Sequence, residues 1–405
     1  MLATYFPKPG NPIMGNWALS QAQALARRTD LDLRVVSLTP WVPGFASRIG
    51  HAGAYAKCPS EYQWGPLTVQ YPRCLWYPIP PFKQRAYRNP HFQMSLAWRT
   101  ARPVLTRTVK QFRPDVVYAH HSAVNGYFGE RLRAAFQIPY VVTDHDFDEI
   151  ADCGRYPERK RFMEPIIGGA AKLVSVASRM REEMNRQFPA AKACTVHNGT
   201  DPIPASVQAG ARVNKSGNGP VLFSCGAFYE RKGFPLLIEA FARIASRHPA
   251  ARLRIAGSGE QRVQVEAAIA QHSLGDRVDL LGFVPHETVI EEMCRADAFI
   301  LIGWDEPFAT VFTEALSAGK PVICANDGGI NDVLQNEVHG LTVPPKDVAA
   351  AADAIDRILA DSDLRARLGA NAADLFSTRL TWDHHAARMA EIFREAARKQ
   401  GHAGQ

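Results

Sequence analysis

The sequence predicts an α/β protein built from two Rossmann-like, doubly wound domains facing across a cleft. Three observations carry this. Runs rich in Val, Ile and Leu alternate with helical patterns along nearly the whole chain, as parallel sheets covered by helices require. The 405 residues exceed what a single hydrophobic core usually serves. The alternation breaks once, over 205–220, where Gly, Asn, Ser and Pro gather and large apolar residues thin out.

In order, the first half offers strands at 33–38, 115–119, 140–143, 173–177 and 195–197, with helices between them, among others at 17–28 and 101–112. Their nearly unbroken apolar character suits parallel strands buried on both faces. After the break, strands are expected at 221–224, 253–256, 278–281, 298–302 and 321–324. Helices at 233–247, 260–272, 287–295, 307–318 and 347–360 separate or follow them, and two more close the chain at 362–376 and 381–399. The expected division is a first domain over 1–205, a linker over 206–220, a second domain over 221–380, and a helix over 381–405 crossing back to the first. Ligands are expected at the carboxyl ends of the two sheets.

Apolar residues make up 46% and charged residues 21%, the composition of a globular protein rather than a disordered one. No apolar run is long enough to span a bilayer, and the first residues lack a basic head with a long apolar stretch, so a cytoplasmic location is expected. Seven cysteines, none in a C-x-x-C pair, read as buried free thiols. Charge is uneven: residues 1–113 hold 15 Lys+Arg against 3 Asp+Glu, 15 − 3 = +12, whereas the whole chain is only +7. Within that basic half, 71–99 interleaves aromatic and basic side chains with no acid. This predicts a face for an anionic membrane surface and a peripheral position at the inner membrane face.

The densest chemistry lies at 306–314. Glu306 sits just ahead of an expected helix start, Pro307 suits the first helical position, and Glu314 lies about two turns on. Gly319 ends that helix. A helix N-terminus seats a phosphate. Two carboxylates beside it make sense as acceptors for neutral hydroxyls. A diphosphate flanked by two polyols is a nucleotide-sugar. Upstream, the loop 226–233 follows a strand and carries Arg231 and Lys232, bases fit to neutralise a diphosphate. The turn after the strand at 278–281 holds Phe283, where backbone groups could read a nucleobase edge. Gly328-Gly329 allows backbone to approach a ligand closely.

This series, Gly226…Lys232-Gly233, Gly282-Phe-Val-Pro285, Glu306…Glu314, Gly319-Lys-Pro-Val and Gly328-Gly329, resembles the donor domain of glycosyltransferase family 4, retaining enzymes of the GT-B architecture. The likeness implies that Lys232 contacts the donor diphosphate, Glu314 the ribose and Glu306 a donor-sugar hydroxyl. It also implies that the amides of Phe308, Ala309 and Thr310 face the phosphate and sugar. In the first half, Gly15 matches a glycine loop set against the donor phosphate. His145, in Thr143-Asp-His145, matches a histidine facing the donor sugar, which with Glu306 makes the catalytic pair. His120 and the Asn198-Gly-Thr-Asp201 run have counterparts too. One departure stands out. The family often has Arg after the first glycine, and here that residue is Ala227, with Arg231 as the nearby substitute.

The run Asp144-His-Asp146-Phe-Asp148-Glu149 suggests a metal, but Lys232, a helix dipole and amides can offset the leaving diphosphate, so no metal or other cofactor is expected. Its acids are expected to face the acceptor. His120-His121 and His384-His385 read as structural. The expected function is transfer of a sugar from a nucleotide-diphosphate-sugar to a saccharide or lipid-linked acceptor, in cell-envelope polysaccharide or glycolipid synthesis, with no nucleic-acid partner. The alternatives are an epimerase or hydrolase of the same architecture, or a non-catalytic sugar-binding member.

Overall fold

The computed structural model describes every residue except 13, 46–51, 77–81, 192, 214–218 and 402–405. The chain divides into two compact units, Met1–His197 with Trp382–Gln405, and Asn198–Thr381.

In the first unit the described strands are β1 (Val35–Val36), β2 (Thr39–Pro40), β3 (Glu61–Trp64), β4 (Leu67–Gln70), β5 (Arg73–Cys74), β6 (Val117–His120), β7 (Tyr140–Asp144), β8 (Lys172–Ser175) and β9 (Ala193–Thr195). β6-β7-β8-β9 run parallel. Leu2 bridges Ala119 on one side and Val36 on the other, joining this sheet to β1-β4-β3. β7 is buried at every position, the pattern of a strand covered on both faces. The antiparallel β3–β4 hairpin, closed through Gly65 at φ 57°, was not foreseen, since β3 is largely exposed and carries no apolar run.

The second unit holds β10 (Val221–Cys225), β11 (Arg252–Ala256), β12 (Val278–Gly282), β13 (Ala298–Leu301), β14 (Val322–Ala325) and β15 (Gly340–Val343). They form one parallel sheet in the order β12-β11-β10-β13-β14-β15. Relabelled within the unit this is 3-2-1-4-5-6, the doubly wound order, whose direction reverses between β10 and β13. Phe223, Phe299 and Ile300 are fully buried in its centre.

Three expectations need correction. The helix expected from 307 starts at Thr310 and ends at Ser317. Ala309 is extended at ψ 117°, so Pro307 lies in the approach loop rather than the first turn. The expected linker is partly structured. The units divide at His197/Asn198, and Ala205–Val213 is a helix whose Ala211 is buried. The aromatic-basic segment does not present its aromatics as one face. Tyr71 and Trp76 are core, and Tyr87 donates to Asp152 at 2.9 Å. Residues 77–81 of that segment lie outside the described residues. All seven cysteines are free thiols.

Candidate functional site

The loop after β10 and the loop after β13 leave the sheet at its reversal point, where adjacent crossovers turn to opposite faces and open a crevice. The first carries a 3-10 turn, Glu230–Lys232, ended by Gly233 at φ 70°. The second passes through Asp305, held at φ 54°, to Glu306. Trp304 N donates to Arg231 O at 2.9 Å, and Gly303 packs against the Arg231 backbone, so the loops are tied together. Two side chains 74 positions apart thereby meet: Lys232 Nζ donates to Glu306 Oε2 at 2.8 Å. Arg231 Nε lies 3.7 Å from Glu306 Oε1. Glu306 is 6% exposed, and its Oε1 is buried without a hydrogen-bond partner. Gly329 N donates to the Glu306 carbonyl at 2.8 Å, so the Gly328-Gly329 pair serves first to close this loop.

The helix Thr310–Ser317 begins four residues after Glu306, with no side-chain cap on its first turn. Amides of a first turn have no intrahelical partner and attract anions. Phe308 is buried beneath this turn, while Ala309 and Thr310 are half-buried. Glu314 is half-buried and accepts from the exposed His286 (Nε2–Oε1, 2.9 Å), a neighbour absent from the sequence reading. That bond raises the His286 imidazole above its ordinary value. Phe283 stands 73% exposed after β12, an open aromatic face on the same turn as His286. Ala227 is exposed and brings no charge.

The first unit holds a second cluster. Gly15, at φ 72°, caps the helix Asn16–Ala26, and a β-carbon there would overlap the Tyr5 carbonyl. The glycine is therefore demanded by the backbone, and it sets Trp17 against three histidines. The Trp17 ring centre lies 4.0 Å from His145, 5.3 Å from His120 and 6.0 Å from His121. His145 Nε2 and His120 Nδ1 are 3.2 Å apart. Burial, then the neighbouring imidazoles, keeps both rings well below the ordinary histidine value.

The expectation that the acids of 144–149 face an acceptor fails for two of them, Asp144 and Glu149, while Asp146 and Asp148 are exposed. Asp144 turns inward and accepts from Ser122 N at 2.6 Å and from Ser122 Oγ. Glu149 accepts from His121 Nδ1 at 3.2 Å and Ala123 N at 3.1 Å. Both are committed to the turn after β6 rather than to an acceptor. The reading of His121 as structural agrees with its buried ring bonded to Glu149, and that ring also lies beside His145. Among the described residues, His121, Asp144 and Glu149 offer ligand atoms within 4.8 Å of one another, a spacing that could hold a metal ion. The carboxylate oxygens already accept the bonds just described, and the Arg159 guanidinium lies 3.5 Å from Glu149. His385 is buried against His197 O at 2.8 Å, a structural histidine as read. Gly257 and Gly259 let Gly226 and Phe228 backbone approach closely, which accounts for that pair without a dinucleotide.

Two family models cover most of the chain. That of Glycosyltransferase Family 4 matches residues 14–203, and that of Glycosyl transferases group 1 matches residues 209–375. An uncharacterized glycosyltransferase of Methanocaldococcus jannaschii is 26% identical over 338 residues, covering 79% of this chain and 85% of its own length. Among solved structures, the sucrose-phosphate synthase of Thermosynechococcus elongatus superposes with a TM-score of 0.74 at 22% identity, covering 94% of this chain and 92% of that one. HepE of Anabaena, solved in complex with UDP and glucose, superposes with a TM-score of 0.67 at 17% identity, covering 97% and 98%.

Proposed function

The chain is a GT-B glycosyltransferase of family 4, and on that premise we propose that it is a retaining enzyme moving a sugar from a nucleotide-diphosphate-sugar to a saccharide or lipid-linked acceptor. One observation carries the donor assignment: Lys232 and Glu306 meet at the sheet's reversal point, four residues ahead of an uncapped helix N-terminus. Lys232, Arg231 and the amides from Phe308 to Thr310, at the approach to that helix, take the diphosphate charge, which makes a metal unnecessary. Glu314 accepts from the ribose, and Phe283 offers a face to the base. Glu306 accepts from a sugar hydroxyl through the oxygen that lacks a protein donor. His145, held neutral with Nε2 on His120, keeps one ring nitrogen, Nδ1, to donate to or accept from a sugar hydroxyl. The departing phosphate takes the acceptor's proton. UDP in the complex of HepE favours uridine among the bases.

The basic half supports work at an anionic lipid surface and an envelope acceptor. Residues 82–113 contain no acid, Lys83, Arg85, Arg88, Arg99 and Arg102 are exposed, and Phe92 is 77% exposed. No helix among the described residues is long and apolar enough to cross a membrane.

Calorimetry against a panel of nucleoside diphosphates, followed by NMR of the product anomer with and without acceptor saccharides, tests the reading. Binding of one diphosphate and an anomer matching the donor's support it. No diphosphate binding removes the donor site, and an inverted anomer removes the retaining assignment. Sugar release unaffected by acceptors indicates a hydrolase. Flotation with phosphatidylglycerol vesicles tests the surface: binding at low salt, lost on R85E/R88E/R99E, is expected, and no binding refutes it.

A further inference from the structure

Glu314 has a close neighbour that the donor assignment leaves without a task. Helix His286–Arg295 packs against helix Thr310–Ser317. Gly282, at φ 69°, turns the chain out of β12, and Pro285, at φ −56° and ψ 152°, sets the start of the first helix. His286 is its first residue, and the ring reaches across to the second turn of the other helix. There His286 Nε2 lies 2.9 Å from Glu314 Oε1. A carboxylate can only accept, so the ring nitrogen donates.

The two ends of this bond differ in exposure. The His286 side chain is 56% exposed and the Glu314 side chain 12%. Among the described residues, His286 is the one side chain that bonds the Glu314 carboxylate, and Oε2 accepts no bond. The outer torsion of a glutamate is broad, so a carboxylate without a tether samples many orientations. Fixing one of its oxygens removes that freedom before any ligand arrives. An ion pair with one partner this exposed adds little to folding, and its worth lies in orientation.

We propose that His286 is a positioning residue for the donor nucleotide: by tying Oε1 it fixes the Glu314 carboxylate with Oε2 presented to one ribose hydroxyl. The inference rests on the reading of Glu314 as the ribose acceptor, and it adds the residue that makes this acceptor selective for a ribonucleotide. Oε2 is matched by a hydroxyl and left without a partner by a deoxyribose. His286 acts only through Glu314. Phe283, three residues earlier and 73% exposed, offers its ring to the base, so the turn after β12 serves base and ribose together.

The test is isothermal titration of the full chain with UDP, GDP and ADP, each beside its 2′-deoxy and 3′-deoxy forms. In the wild type, the diphosphate that binds should lose about tenfold in affinity when the hydroxyl facing Glu314 is removed. E314A identifies that hydroxyl, because it should bind the ribo and deoxy forms alike. H286A should bind the ribonucleotide about threefold more weakly than the wild type and the deoxynucleotide equally well, which shrinks the deoxy penalty to about threefold. H286Q, whose amide still donates to Oε1, should restore most of the penalty. With the matching nucleotide-sugar, H286A should raise KM and leave kcat near the wild-type value, as loss of a contact remote from the reacting carbon does. Equal weakening of ribo and deoxy forms in H286A would mean a merely structural role and overturn the proposal. So would an unchanged penalty in H286A, or a fall in kcat with KM held. A penalty that persists in E314A removes Glu314 as the ribose acceptor, and the proposal with it. Failure of every diphosphate to bind the wild type removes the donor site and the proposal together, whereas binding with a penalty that ignores His286 removes only the role given to this residue.

Discussion

Glu306→Gln separates two jobs that the carboxylate performs. In the free protein Glu306 neutralises Lys232 across 2.8 Å, so a diphosphate arriving at Lys232 meets a carboxylate behind the same ammonium. If Nζ bridges both anions with a second contact of about 2.8 Å, carboxylate and phosphate oxygens stand at most about 5.6 Å apart. At an effective dielectric of about 20, that repulsion is about 3 kcal/mol per unit of phosphate charge, and salt with partial hydration reduces it to about 1–2 kcal/mol. Glutamine keeps the volume and removes the charge. Glu306→Gln should therefore bind a bare nucleoside diphosphate about 5- to 30-fold more tightly, while turnover of the nucleotide-sugar falls because an acceptor for the sugar hydroxyl is weakened. Lys232→Met should do the reverse to diphosphate binding. It should also destabilise the second unit by about 2–4 kcal/mol, since a carboxylate 6% exposed keeps only Arg231 at 3.7 Å. Isothermal titration with UDP, GDP and ADP reads the binding, and calorimetric unfolding reads the stability. Weaker diphosphate binding by Glu306→Gln would refute the competition argued here.

Gly15→Ala should destabilise the first unit by about 2–3 kcal/mol, because its φ of 72° disfavours a side chain and the new methyl meets Tyr5. An unchanged unfolding midpoint would refute this. Lys8 is fully buried and donates to the Thr4 and Phe6 carbonyls and Ser37 Oγ. Burial lowers its ammonium to about 8 from 10.5. The unfolded chain then binds more protons between those values, so stability should rise by about 2–3 kcal/mol as pH climbs from about 8 to 10.5. Urea unfolding should show this rise in the wild type and not in Lys8→Met, and parallel curves would count against it. His286 shifts the other way. Its folded value lies above the ordinary 6.5, so the contact with Glu314 contributes below that pH and fades as pH rises through the folded value. Carbon-proton NMR of the His286 ring should give a midpoint above that of His286 in Glu314→Gln, and equal midpoints would remove the assigned cause.

Much of this protein was legible from residue order alone. The apolar runs at 221–224, 253–256 and 298–302 lie within or nearly coincide with β10, β11 and β13, because a strand buried on both faces tolerates few polar side chains. Glu306, Glu314 and Lys232 could be singled out because spacing along a helix and position after a strand are local properties. The start of the helix at Thr310 was missed, since proline favours a first turn without compelling one. The burial of Tyr71 and Trp76 was missed as well, because aromatic residues between bases look the same in a solvated face and in a core rim.

What the chain determined by itself is the alternation of elements and the inventory of donors and acceptors at their ends, both set by short-range periodicity. What only the tertiary structure decided is which of them meet. Parallel pairing places the β10 and β13 loops side by side and brings Lys232 onto Glu306. A π-helical turn with one residue at positive φ brings His121 onto Glu149. Neither contact follows from spacing along the chain, because sheet order and a strained turn are settled by the packing of the whole unit.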